Sequence, residues 1–411
     1  MPDAHSVEPQ SYRTFGDKAD QVGSASPIMF LGETEAMRYA LSRRSLIFAG
    51  AAALASRALG QSATNPAPGA PPGPRPIRPP LTGPQVAPPA APLYPPFPVV
   101  GSVEQLDPAL ADLIDVNTPV EKILDGFVWV EGPVWVGGKD GYLLCSDTRA
   151  NKIVKWQMPA KGSTKAPGET WLQPSGYEGP NHETWASNLS EPGTNGMIRA
   201  RGGLMVADQG NRSIAIIDLK TRSKTRLVDR FEGKRFNSPN DMVLHPNGMI
   251  YFTDPPFGLN NVFSSPDREM DYTGVFRLNP DNSVTLLDKT LMPNGIGLSP
   301  DGSKLYCTDA SGWVVFDVDA HGDVSNRRVF VPRTVVGGGD GFKVDARGNI
   351  WASSSTGITI FSPDGTRLGA IHADDRISNC EFGADGYLYM ASNKRLIRAK
   401  VKASKIVRKG A

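Results

Sequence analysis

One short pattern recurs six times along the chain, and a repeat of this size limits the fold more than any single motif does. A polar residue opens an apolar run, a Gly-bearing turn follows, and a second apolar run ends in a small or polar pair. The copies are EGPVWVGGKDGYLLCSD from Glu131, TNGMIRARGGLMVAD from Thr194, PNDMVLHPNGMIYFTD from Pro239, PNGIGLSPDGSKLYCTD from Pro293, GDGFKVDARGNIWASS from Gly339 and SNCEFGADGYLYMAS from Ser378. Aromatic and β-branched runs around Asn-Gly or Asp-Gly are hairpin signals, as at His245-Pro246-Asn247-Gly248 and Ala384-Asp385-Gly386. Further apolar segments (KIVKW, SIAIID, GVFRLN, GWVVFDV, GITIFSP and RLIRAKV) supply third and fourth strands. A spacing of roughly forty to sixty residues is that of four-stranded blades. A solenoid would leave two open sheet edges, whereas a ring closes on itself. The expected fold is all-β, a six-bladed β-propeller over residues 100–411, with a strand at residues 120–126 completing the last blade.

Superimposing the copies aligns Glu131, Asn195, Asn240, Asn294, Asp340 and Asn379 at the start of the innermost strands, facing one end of the central channel. Side chains of this kind also cap turns. Six in register, two of them acidic, instead favour a ring of hard oxygen donors suited to Ca²⁺ or Mg²⁺. No Cys or His stands at these positions, which disfavours a soft zinc site.

The front of the chain does not read as fold. Ser42-Arg43-Arg44-Ser45-Leu46-Ile47-Phe48, an Ala-rich apolar stretch and the small-residue site Ala58-Leu59-Gly60 make residues 1–60 an N-terminal region with a Tat signal peptide. The apolar stretch is too short to span a bilayer as a permanent helix, and Gln61 rather than Cys follows, so no stable membrane anchor is expected. The Tat translocon would be a partner during export, and the protein would be periplasmic or secreted. Residues 61–99, rich in Pro, Ala and Gly, read as an extended linker. After it, SVEQLDPALADLI reads as a short helix.

A net charge of +2 with scattered Lys and Arg argues against nucleic acid as a partner. The basic run VKASKIVRKG near the end reads as a solvated tail. Three cysteines without a CxxC make no disulfide framework, and Cys145 and Cys307, at matching repeat positions, read as buried free thiols. His182, His245, His321 and His372 fall in loops or turns and read as structural or solvated. Two long stretches, residues 159–193 between blades one and two and residues 255–272 within blade three, are expected to roof the channel. Their aromatics, Trp171, Tyr177, Trp185, Phe257 and Phe263, would stack on a ring substrate or anchor the loops.

EGPVW (131–135), SDTRANKIVKW (146–156), FNSPNDMVLHPNGMIYFTDPPFG (236–258), REMDYTGVFRL (268–278), PNGIGLSPDGSKLYCTD (293–309) and GDGFKVDARGNIWAS (339–353) resemble the SMP-30/gluconolactonase/LRE-like family, its bacterial gluconolactonase branch in particular. The resemblance runs from about residue 120 to about residue 400. It implies one divalent metal at the channel mouth, held by Glu131, Asn294 and Asp340. Ca²⁺ is the expected ion, with Mg²⁺, Mn²⁺ or Zn²⁺ as alternatives. Asn240 would lie beside it, against its water or the substrate, with Asn195, Ser238 and Asn379 lining the pocket. Some animal members carry a substrate-binding Arg where this chain has Ser238, and DQGNR (208–212) replaces the EHGNR often seen in relatives.

The expected activity is that of a metal-dependent lactone hydrolase of gluconolactonase type, converting glucono-1,5-lactone and water to gluconate. A lactone carbonyl at such an ion would be polarised and water there made more acidic. Asp340 would act as general base, Glu131 would hold the ion, and Asn240 and Asn294 would orient water and stabilise developing charge. The chain has no G-x-S-x-G elbow and no H-E-x-x-H, so no covalent nucleophile is evident. The alternatives are an esterase or phosphotriesterase on the same metal site and a non-catalytic periplasmic sugar-binding or scaffold propeller.

Overall fold

In a computed structural model the described residues are 93–163, 167–180, 188–336 and 339–406. The proposed export signal, most of the linker, and the side chains His182 and Trp185 lie outside them.

Six antiparallel sheets carry the repeats, each built outward from its copy of the pattern. Blade one runs from Val130–Val136 outward to Gly168–Leu172, blade two from Met197–Ala200 to Lys224–Val228, and blade three from Met242–Leu244 to Val284–Asp288. Blade four runs from Ile296–Leu298 to Val324–Pro332. Blade five begins at Phe342–Val344, and blade six at Asn379–Phe382. The innermost strand of each blade touches that of the next, and that of blade six touches that of blade one. The sheets therefore close into a six-bladed β-propeller.

The expected latch is present. Val120–Asp125 pairs antiparallel with Arg395–Lys400 as the outermost strand of blade six, from Val120 opposite Ala399 to Asp125 opposite Arg395. A strand from before blade one thus closes the last blade, tying the two ends of the ring together.

The core is divided as the period of two in the strands demands. On the second strand of blade one, Leu143 and Cys145 pack toward blade six while Leu144 packs toward blade two. On that of blade three, Phe252 packs toward blade two and Tyr251 toward blade four. Both faces are buried, so these strands read as continuous apolar runs instead of alternating ones. Six hydrophobic clusters result, one at each blade interface.

Three expectations are corrected. The segment read as a helix before the ring is a strand, Gly101–Gln105, followed by a 3₁₀ turn, Pro108–Asp112. The strand adds a fifth member to blade five by pairing with Arg367–Ala373, covering an edge that would otherwise be open. Asp107 caps the turn through its side chain (Ala109 N–H, 2.8 Å), and Pro108 opens it. The stretch 159–193 is not all insertion, because Gly168–Leu172 is the outer strand of blade one. The basic tail is engaged up to Ile406. Val401 is buried, Lys402 Nζ donates to Ala111 O (2.6 Å), and Lys405 Nζ lies 2.8 Å from Glu381 Oε1. Lys405 and Ile406 line the same cavity as Met242, Ile296, Phe342 and Lys343, so the tail walls the channel at the end away from the six aligned residues.

Candidate active site

In blades one, three and four the polar pair that ends the repeat (Ser146-Asp147, Thr253-Asp254 and Thr308-Asp309) explains how the aligned residue of the next blade is held. Its hydroxyl bonds the next blade. Ser146 Oγ donates to Asn195 O (2.8 Å), Thr253 Oγ1 to Asn294 O (2.6 Å) and Thr308 Oγ1 to Asp340 O (3.1 Å). Ser378, which opens the sixth copy instead of ending one, links blade six to blade one by donating from Oγ to Val130 O (3.0 Å). The Asp of the pair caps the loop that enters its own blade. Asp147 accepts from Trp129 N–H (3.0 Å), Asp254 from Asn237 and Ser238 N–H (2.7 and 2.8 Å), and Asp309 from Met292 N–H (2.8 Å). The SD and TD endings are thus the frame of the site and not its chemistry.

Close approach of the blades sets the residue after four of the aligned positions, Gly132, Gly196, Gly295 and Gly341. Gly132 has φ +49°, and a Cβ there would lie 2.0 Å from Asn195 O. A Cβ on Gly341 would lie 2.2 Å from the Asn379 amide. Gly132 also sits in a β-bulge, where the register shifts between Glu131 and Val134, and the bulge re-aims Glu131 relative to the rest of its strand.

All six aligned residues are buried at one end of the ring, from Asn379 at 2% exposure to Asn294 and Asp340 at 8%. Burial pushes the Glu131 carboxyl well above the ordinary range, and the charges of Asp340 and Glu191 push it further. The Trp129 indole, donating to Glu131 Oε1 (3.3 Å), and the Arg376 guanidinium pull the other way. Asp340 is held by its backbone, its N–H donating to Ser353 Oγ (3.0 Å), while Oδ2 accepts from Arg376 Nη2 at 2.5 Å. The Asn240 and Asn294 backbones are fixed to Thr253 O and Thr308 O (2.8 and 3.2 Å). Both residues are largely buried, but among the described residues their side-chain amides make no hydrogen bond and are not among the sealed, unpaired atoms of the interior, so they are free to meet a ligand.

Two expected pocket residues are committed elsewhere. Asn379 Oδ1 accepts from Lys343 Nζ (3.2 Å) and from Cys380 N–H (2.9 Å), and Nδ2 reaches Asp241 Oδ2 at 3.5 Å. Lys343 is a wall of the channel below, so Asn379 belongs to a polar network beneath the mouth. Ser238 is fully buried. Its Oγ donates to Pro255 O (2.5 Å) and accepts from Gly258 N–H (2.9 Å), fixing the loop after blade three's second strand. Asn195 lies against Gln209, whose amide, turned to suit its neighbours, donates to Glu191 Oε2 (3.3 Å) and accepts from Gly258 N–H (3.2 Å).

Among the described residues no cluster of three or more His, Cys, Asp and Glu side chains has metal-holding geometry. A cation here would depend on amide as well as carboxylate oxygens. Glu131, on which the Asp340 charge acts, Asp340 itself and the free amides of Asn240 and Asn294 are a donor set of that mixed kind and fit a hard divalent ion.

Sequence reasoning missed Trp129, Glu191 and Arg376. Trp129 and Arg376 stand two and three residues before aligned positions, but neither recurs in the other copies, so superposition does not single them out. Glu191 is brought in by the two long loops, which zip together. Leu189 bridges Leu259, Ser190 N–H donates to Gly258 O (2.9 Å), and Ser190 Oγ donates to Phe257 O (2.5 Å). Tyr177 packs on Leu189 and Leu259, an anchoring role. Trp171 is buried in the core between blades one and two. Phe263 is exposed, 5.8 Å below the Arg268 guanidinium. His245 packs edge-on against Tyr251, and His372 lies on a strand instead of in a loop, 2.9 Å from Glu104. Cys145, Cys307 and Cys380 are buried free thiols, with Cys380 pushed up to about 12 by burial.

Known proteins resemble this chain in sequence and fold. The profile of the SMP-30/Gluconolactonase/LRE-like region matches residues 129–394. A gluconolactonase of Zymomonas mobilis is 39% identical over 321 residues, covering 74% of this chain and 87% of that protein. An L-arabinolactonase of Azospirillum brasilense is 29% identical over 187 residues, 44% of this chain and 60% of that protein. The solved structure of a Xanthomonas campestris gluconolactonase superimposes with a TM-score of 0.61 at 29% identity, over 77% of this chain and 99% of that one. With a match over most of the ring, this chain belongs to the SMP-30/gluconolactonase/LRE-like family.

Proposed function

We propose that the protein is a metal-dependent lactone hydrolase of gluconolactonase type, converting glucono-1,5-lactone and water to gluconate. The gluconolactonase relatives support lactone hydrolysis. The observation that carries the finer reading is two carboxylates, Glu131 and Asp340, whose charges act on each other, beside the unpartnered amides of Asn240 and Asn294 at one end of the ring. Glu131, Asn294 and Asp340 would hold a divalent cation, with Ca²⁺ the best match to flexible, all-oxygen donors and Mg²⁺, Mn²⁺ or Zn²⁺ as alternatives. When bound, such an ion supplies Lewis-acid polarisation of the carbonyl and a more acidic water. Asp340 accepts the proton of the attacking water. The Asn240 amide donates to the carbonyl oxygen as negative charge grows there. The buried position of both keeps bulk water from competing with these contacts.

The test is proton release from glucono-1,5-lactone by the purified protein, with the spontaneous rate subtracted. Acceleration is expected with added Ca²⁺, loss after chelation, and recovery on re-addition. A chelated protein of undiminished rate would refute the metal dependence. Activity confined to aryl esters or phosphotriesters would replace the substrate class, and no activity on any of them would leave a binding propeller.

We also infer export through the Tat translocon to the periplasm or the medium, on the strength of Arg43-Arg44 and the apolar stretch after them. Replacing both arginines by lysine is expected to hold the precursor in the cytoplasm, as read by fractionation. Unchanged export of that variant would refute the Tat route.

A further inference from the structure

Arg376 has no counterpart elsewhere in the ring. It stands three residues before Asn379, and the matching positions of the other blades hold Val128, Pro192, Asn237, Leu291 and Gly337, none of them charged. Its guanidinium crosses from blade six to blade five, where Nη2 donates to Asp340 Oδ2 at 2.5 Å. It also reaches blade one, 5.7 Å from the centroid of the Trp129 ring. The charges of Asp340, Glu131 and Glu191 all act on it. The side chain of Arg376 is 41% exposed and that of Asp340 only 11%, so the arginine reaches inward from the open rim.

Two physical consequences follow. A half-exposed ion pair is weakly held, and its arginine can leave without becoming a buried, unpaired charge. The carboxylate it occupies is also the one that a divalent ion would take, and a doubly charged ion competes well for it. Once displaced, a guanidinium at the rim offers a planar fork of donors that suits the carbonyl, ring and hydroxyl oxygens of a lactone. Ser238 cannot serve in that way, because its hydroxyl is committed to Pro255 and Gly258.

We propose that Arg376 is a two-position specificity residue: paired with Asp340 when no divalent ion is bound, and turned to the substrate's oxygen atoms when one is. The proposal rests on the lactonase reading for its second position. It is tested on the full chain with Arg376→Ala and Arg376→Lys. Calorimetric titration of Ca²⁺ into chelator-stripped protein is expected to show R376A binding about tenfold tighter than the parent, because a competitor is gone. The KM for glucono-1,5-lactone is expected to rise about tenfold with kcat changed much less, and R376K is expected to fall between. Ca²⁺ affinity that is equal or weaker in R376A overturns the proposal, as does an unchanged KM. Ca²⁺ uptake by neither protein would overturn the metal-dependent reading along with it. Equal uptake by both would overturn the role of Arg376 alone.

Discussion

Asp340→Ala is expected to lose about a thousandfold or more in kcat/KM on glucono-1,5-lactone while keeping its fold, since the side chain is asked to serve both as ligand and as proton acceptor. The frame around it does not need the carboxylate. Its N–H and carbonyl are bonded to Ser353 and Thr308, and Phe342–Val344 behind it is paired with Ile350–Ser354. Loss of the carboxylate leaves Arg376 without this partner, but a half-exposed guanidinium can be hydrated instead. It also removes one of the charges that destabilise ionised Glu131. The folded state should therefore melt no lower than the parent. Asp345 supplies the contrast. It accepts from Arg347 N–H, Asn349 N–H, Asn349 Nδ2 and Trp351 Nε1, all at 2.9 to 3.1 Å. Asp345→Ala should lower the melting temperature without changing the chemistry of the mouth. Full activity in Asp340→Ala, measured beside its circular dichroism and thermal melt, would remove Asp340 from the mechanism.

The parts of the site that repeat were legible in the sequence, and the parts that occur once were not. Glu131, Asn240, Asn294 and Asp340 are found by superposition because the frame that holds them is itself repeated, as in the Ser146, Thr253 and Thr308 hydroxyls. The closing strand at Val120–Asp125 was legible because a ring must end somewhere. Arg376 and Glu191 act across blades or through loops, and spacing along the chain does not encode which blades face each other. Asn379 shares the register of the others but is captured by Lys343 from the neighbouring blade. The strand Gly168–Leu172 was obscured by its own edge position, where only Trp171 is buried and the apolar signal is thin.

The glycine of the EGPVW motif carries the largest structural effect. Gly132→Ala is expected to cost about 2–5 kcal/mol of stability, combining left-handed strain with forced separation of packed elements. Its φ of +49° is one contribution, and the 2.0 Å approach of the new Cβ to Asn195 O is the other. A backbone carbonyl cannot rotate aside as a flexible side chain can, so blade one has to draw back from blade two. Gly248→Ala separates the two contributions. Gly248 has φ +89° at a hairpin turn, and nothing lies within 4 Å of its Cβ position. That variant should lose only about 1–2 kcal/mol, the cost of the backbone conformation by itself. Urea denaturation of both variants gives the difference directly, and G132A no less stable than G248A would refute the interblade contact as the reason for the glycine. The contact also links stability to chemistry. Glu131 is the neighbour of Gly132 in the bulge, so any withdrawal of blade one displaces the carboxylate from Asp340. Folded G132A should therefore bind Ca²⁺ more weakly than the parent, and the loss should exceed any seen in G248A, whose turn lies at the other end of blade three's inner hairpin.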